Sequence, residues 1–164
     1  MLNDIDDRSI TLLKDAAPSE NDLEALAVTL LTLAKRTRAL FGLELERAGF
    51  NNGQDQLLLA LTPKTALAVG ALAAKLEVRP STVSKMLDRL HEKGLLERFL
   101  NPRDGRATLV RLTDAGILAQ AEIRDIWSGV CRHIVPALAD DAVMTEKQLN
   151  GVSSVLAARL LKLR

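Results

Sequence analysis

The chain has 164 residues, 48% of them apolar, and a net charge of +1. That suits one domain with an extension and excludes a polycation. Its only aromatic residues are Phe41, Phe50, Phe99 and Trp127, so aliphatic helices must do the packing. Single-stranded nucleic acid is a poor target, because its binders stack bases on aromatic rings. A single cysteine, Cys131, rules out an intramolecular disulfide and favours a reducing compartment.

Charge is unevenly spread. Residues 64–113 hold ten Lys/Arg against five Asp/Glu, and residues 1–24 hold seven acidic residues against two basic ones. A basic middle beside an acidic arm fits a protein that touches phosphate with one part only. The start carries Asp4, Asp6 and Asp7 where a secretory signal would be basic and then apolar. The most apolar stretch, Leu26–Ala34, runs into Lys35, Arg36 and Arg38 and is too short for a bilayer. A cytoplasmic protein is expected.

Residues 1–20 read as a polar arm, with a short helix near Ile10–Lys14 that Pro18 and Ser19 break. A long helix is predicted from Asn21 or Asp22, capped by Asn21 with Glu24 three residues on. Its stripe is Leu23, Leu26, Ala27, Leu30, Leu31 and Ala34, continued by Phe41 and Leu45, and it ends near Gly49. Asn52-Gly53 marks a turn, and a second helix passes through Leu57, Leu58 and Leu61 to stop before Pro63. Thr65–Val69 suits a short strand. A helix over 69–76 then leads through a Glu77-Val78 turn to another, with Pro80 in its first turn and Gly94 at its end. There Val83, Leu87 and Leu90 stand at core spacing, which leaves Ser81, Thr82, Ser84, Lys85, Asp88 and Arg89 outward. Leu95–Leu100 and Ala107–Leu112 suit strands. The connection Asn-Pro-Arg-Asp-Gly-Arg between them is longer than a tight turn and should project as a wing. Thr113 caps a helix with the stripe Ile123, Ile126, Trp127, Val130 and Ile134. Thr145 with Gln148 reads as the capping box of a last helix carrying Val152, Val155, Leu156, Leu160 and Leu163.

Two helices back to back can place the second in a major groove, and a basic hairpin tip can reach phosphate or the adjacent minor groove. Binding to double-stranded DNA is therefore the expected function. Ser81, Thr82 and Ser84 sit in the first turns of the reading helix, where short hydroxyls approach base edges or phosphates. Lys85 is assigned phosphate, and Arg89 phosphate or guanine; Lys85 with Asp88 as a helix ion pair is the ordinary alternative. Arg106 is expected in the minor groove, Arg103 on the backbone, and Asp104 in support of the wing arginine.

The stretches LAAKLEVRPSTVSKMLDRLHEKGLLER, DGR and VRLTDAG resemble the MarR family of bacterial transcription regulators, most clearly in Asp104, Arg106, Leu112, Thr113 and Gly116. The resemblance covers roughly residues 23–163. It implies a mainly α fold with a small β-hairpin wing: a winged helix-turn-helix DNA-binding region at 63–113 and a helical dimerisation region at 21–62 and 114–164, after the arm at 1–20. It also implies a homodimer on a pseudo-palindromic operator, acting as a repressor released by a small-molecule effector. Two residues depart from the usual pattern. Glu77 stands where such turns often have Gly, and if the site needs positive φ this costs about 1 kcal/mol. Arg79 stands where a Ser or Thr cap is common; it is assigned a phosphate instead.

An effector pocket between the lobes would draw on Arg36, Arg38, Arg47, Gln56 and Trp127, groups that suit a small aromatic or anionic molecule. Cys131 follows the apolar Val130 and reads as a buried structural thiol; thiol-based redox regulation is the alternative. Cys131 and His133 are two apart and diverge on a helix, and His91 is remote, so neither a metal nor another cofactor is expected. The chain lacks G-x-S-x-G, a glycine-rich phosphate loop and a paired His–Glu motif, so no enzyme is expected. The competing function is a winged helix that binds protein and not DNA.

Overall fold

The computed structural model describes residues 18–102, 104–138 and 142–163; the side chains of residues 104–106, 142, 143 and 163 are not part of that description. The predicted arm and its short helix lie outside the described residues, apart from residues 18–20. The chain divides into two compact units, residues 1–39 and 40–164. Its elements are α1 (Glu20–Arg47), α2 (Gln54–Ala60), β1 (Leu67–Ala68), α3 (Val69–Lys75), α4 (Pro80–Glu92), β2 (Leu96–Asn101), β3 (Asp104–Leu112), α5 (Asp114–Ile134), a single 3-10 turn (Val135–Ala137) and α6 (Ala142–Leu163).

Helix α1 starts at Glu20, one or two residues before the predicted Asn21 or Asp22. The Ser19 hydroxyl and backbone N–H both donate to Asp22 Oδ2, at 2.6 and 3.0 Å, and Asp22 N–H donates back to Ser19 Oγ at 3.3 Å. This reciprocal box satisfies end donors that Asn21 would leave free. The Ser19 hydroxyl, then its N–H, hold the Asp22 carboxyl below its usual range. Helix α6 also starts before its predicted cap. It begins at Ala142, so Thr145 and Gln148 lie inside the helix and not at its start; Ala and Met are strong helix formers and carry the helix upstream.

Three helix ends close in one way. Phe50 N–H donates to Leu45 O and Gly49 N–H to Glu46 O. At the end of α4, Leu95 N–H donates to Leu90 O and Gly94 N–H to His91 O; at the end of α3, Val78 N–H donates to Ala73 O and Glu77 N–H to Ala74 O. Each closure needs one residue at positive φ, which is Gly49 (80°), Gly94 (70°) or Glu77 (54°).

The sheet is antiparallel in the order β1-β3-β2. Leu96 pairs with Leu112, Arg98 with Val110 and Leu67 with Val110, which puts these residues on one face; Glu97–Arg111 and Phe99–Leu109 take the other. The wing connection is shorter than predicted. β3 already begins at Asp104, which pairs with Asn101, and a register irregularity between Leu100 and Asn101 takes up three residues of β3.

In the unit of residues 40–164 one core joins Leu45 and Phe50 to Leu57, Leu58, Leu72, Val83, Leu87, Leu90, Leu96, Val110, Leu112 and Ile123. Each fully buried Leu or Val contributes about 1.5–3 kcal/mol by leaving water. Two buried polar residues, Gln120 and Asp55, are tied in. Gln120 Nε2 donates to Leu58 O (2.6 Å) and Leu61 O (2.8 Å), closing the end of α2 from α5. Trp127 Nε1 donates to Oδ2 of the buried Asp55 at 3.0 Å, and the Trp127 ring meets Phe41 edge to face.

A close backbone contact joins α5 to the segment after α4. Thr113 N–H donates to Leu95 O (3.2 Å), Thr113 Oγ1 donates to Gly94 O (2.7 Å), and the same hydroxyl accepts from Gly116 N–H (3.0 Å). A Cβ on Gly116 would sit 1.9 Å from the Leu95 carbonyl oxygen. Backbone cannot give way as a flexible side chain can. Gly116→Ala should therefore destabilise the chain by about 3 kcal/mol or more in a denaturant titration; unchanged stability would mean that α5 stands further from Leu95 than described.

Candidate nucleic-acid interface

Helix α4 sorts its residues cleanly. Val83, Leu87 and Leu90 are fully buried, while Arg79, Ser81, Thr82, Lys85, Asp88 and Arg89 are exposed and Ser84 is half-buried. Ser81, Thr82 and Ser84 occupy the first turns, beside N–H groups that no side chain caps: Arg79, at the cap position, makes no side-chain cap bond. Helix termini of this kind favour an anion.

Sequence reasoning set Lys85 against Asp88 as a possible ion pair. The structure gives Asp88 another partner, Arg98 of β2, whose Nη1 donates to Asp88 Oδ1. Lys85 and Arg89 form no ion pair among the described residues. The pair also links the wing to the reading helix, a role for Arg98 that the sequence did not reveal; only the strand register shows that Arg98 shares the face of Val110. On the opposite sheet face Arg111 is bound to Glu97 at 2.8 Å and lies over the Phe99 ring. The backbones of Asp104, Gly105 and Arg106 belong to β3. The side-chain roles assigned to Asp104 and Arg106, and everything assigned to Arg103, lie outside the described residues.

The end of α4 is anchored to the end of α1. Lys93 Nζ donates to Gly49 O and lies 5.6 Å from the Phe50 ring centroid. The Glu77 turn does adopt positive φ, so the anticipated strain is real.

The effector candidates divide. Arg47 is exposed and engaged by Glu44 at 2.7 Å, Gln56 is exposed, and Trp127 is committed to Asp55 and Phe41. Arg36 and Arg38 are exposed in the unit of residues 1–39. Cys131 corrects an expectation, since it is exposed and not buried: Val130 takes the inward position, and the next residue lies about 100° round the helix. His91 Nδ1 bonds Leu96 O and His133 Nδ1 bonds Gly129 O. Among the described residues no three His, Cys, Asp or Glu side chains gather as a metal site would require. No helix among them is long and apolar enough to cross a membrane.

Fold and surface define a winged helix-turn-helix protein. The family model described as MarR family matches residues 51–108. The chain is 35% identical over 79 residues to the HTH-type transcriptional repressor MdtR of Bacillus subtilis, which covers 48% of this chain and 51% of that protein. It is 25% identical over 117 residues to the HTH-type transcriptional regulator BilQ of Clostridioides difficile, 71% of this chain and 79% of that one. The chain spans about half the length of most of the curated relatives it matches. Among solved structures it resembles a mutant MarR of E. coli complexed with operator DNA (TM-score 0.71, 24% identity, 85% of this chain and 99% of that chain). The S. aureus MepR–DNA complex is also similar (TM-score 0.70, 21% identity, 80% and 96%). The likeness to the MarR family is carried by residues 51–108, and the solved structures share the fold.

Relieving the turn before α4 should leave the reader intact. Glu77→Gly is expected to raise unfolding stability by about 1 kcal/mol, read from the urea midpoint at constant slope; a loss of stability would show that Glu77 is held by a contact worth more than its strain.

Proposed function

We propose that the chain is a sequence-specific, double-stranded DNA-binding transcription regulator. The observation that carries this reading is the division of α4: three apolar residues locked in the core, hydroxyls in the first turns, and Lys85 and Arg89 without an ion pair among the described residues while Arg98 takes Asp88. Helix α4 enters the major groove. Ser81, Thr82 and Ser84 face base edges or phosphates, Arg79 and Lys85 hold phosphates, and Arg89 reads guanine or grips the backbone. On the wing, Arg106 enters the minor groove and Arg103 the backbone, supported by Asp104. The relatives named as transcriptional regulators and the MarR and MepR complexes with DNA support the reading. It assigns no catalysis, places the protein in the cytoplasm with the genome, and makes repression relieved by a small molecule the mode of action.

The protein acts as a homodimer. Residues 63–113 read DNA, and 21–62 with 114–164 hold two copies together. Leu23, Leu26, Val28 and Leu31 of α1 and Leu149, Val152, Val155, Leu156 and Leu160 of α6 are all exposed in the single chain. Apolar helix faces of this extent mark an interaction surface. Two copies related by a two-fold axis would present two reading helices to a pseudo-palindrome.

Fluorescence anisotropy on the chain's own upstream duplex, in a salt series, tests the reading. Specific binding that weakens steeply with salt is expected; no binding to any genomic fragment by an intact dimer would favour the protein-interaction alternative. Arg106→Ala should cost about 1–3 kcal/mol of affinity with the melting temperature unchanged, and Lys85→Ala should weaken all sequences alike and lower the salt slope by about one. Equal affinity in wild type and variants would remove those residues from the interface. Leu156→Glu should leave a monomer in light scattering; an unaltered dimer would move the interface elsewhere.

A further inference from the structure

We infer that a cleft at the foot of the wing binds a small zwitterion of the α-amino-acid type, with Lys64 receiving its carboxylate and Asp114 its ammonium. The cleft has a volume of about 350 Å³, within the usual range for a small-molecule site. Leu112 and Ile117 supply its apolar lining, and its polar lining includes Lys64, Glu97, Arg111 and Asp114.

Most of the polar groups are already used. Arg111 and Glu97 neutralise one another at 2.8 Å. The Thr113 hydroxyl donates to Gly94 O and accepts from Gly116 N–H. That leaves one cation and one anion. Neither Lys64 nor Asp114 forms an ion pair among the described residues, although both line the same cleft. A simple anion would meet Lys64 and be repelled by Asp114; a simple cation would meet the reverse. A neutral molecule with both charges satisfies the two together through charge-assisted hydrogen bonds.

The backbone adds a second observation. Lys64 has φ 63°, a conformation in which a residue with a Cβ is strained by about 1 kcal/mol and glycine is not. The turn after α2 thus carries a strained lysine whose side chain lines the cleft. The site adjoins the joint at Thr113 and Gly116 that ties α5 to the end of the reading helix. Binding at the cleft does not depend on the DNA reading and is tested without DNA.

The test screens the protein amino acids singly against the full-length chain at millimolar concentration, by thermal shift and then by titration calorimetry. At least one should raise the melting temperature and bind saturably. For that amino acid, its carboxamide and its deaminated acid should each bind about tenfold more weakly or not at all, and so should the wild-type ligand to Lys64→Met and Asp114→Asn. The inference is overturned if no amino acid binds, if the deaminated acid or the amide binds as well as the parent, or if folded Lys64→Met and Asp114→Asn bind as wild type does. Circular dichroism melts of the two variants establish that they are folded.

Discussion

The Leu95 carbonyl oxygen is the point on which the winged-helix part of the molecule turns. It lies just past the end of α4, accepts from Thr113 N–H, and stands where any side chain at residue 116 would be. Because Gly116 has none, the first turn of α5 closes onto the end of α4. The Thr113 hydroxyl then bridges both sides by donating to Gly94 O and accepting from Gly116 N–H. Helix position, strand exit and the next helix are fixed by one small cluster of backbone groups. A polar cluster satisfied on every side has few alternative arrangements.

From that joint the other contacts spread in order. Arg98 carries the wing to Asp88 of the reading helix, and Lys93 carries the end of the same helix to Gly49 and Phe50. Gln120 and Trp127 bring α5 onto α2 through buried hydrogen bonds. Helix α4 is thus braced by the wing, the end of α1 and α5, while on its outward face Lys85 and Arg89 form no ion pair among the described residues. Exposed ion pairs contribute little stability. The value of Arg98 lies in neutralising an exposed acidic residue on the outward face of α4, and in setting the wing beside the helix.

Much of this was legible in the sequence because it rests on short-range rules. Val83, Leu87 and Leu90 at helical spacing gave the buried face of α4, Pro80 its start, Gly94 its end and Thr113 the next cap. Alternation placed both wing strands. Local rules failed where a competing local solution won: Ser19 with Asp22 outdid Asn21 as a cap, the helix of Ala142 ran past Thr145, and a register irregularity shortened the wing connection. Contacts between segments distant in the chain carry no sequence signal, and so Asp88–Arg98, Gln120 on α2 and Trp127 on Asp55 could not be read. Cys131 was misplaced because the identity of its apolar neighbour was weighed above the angle between successive helix positions. Gly116 was visible as part of a pattern, but only the position of the Leu95 carbonyl explains why no larger residue fits there.

Native-state hydrogen exchange on the backbone amides of Leu95, Thr113 and Gly116 tests the joint most directly. If it holds the reader, wing and α5 as one body, these amides exchange only when the whole unit unfolds, with the free energy measured for Leu87 inside α4. Exchange at those three sites through a low-energy local opening, while Leu87 stays protected, would contradict the account.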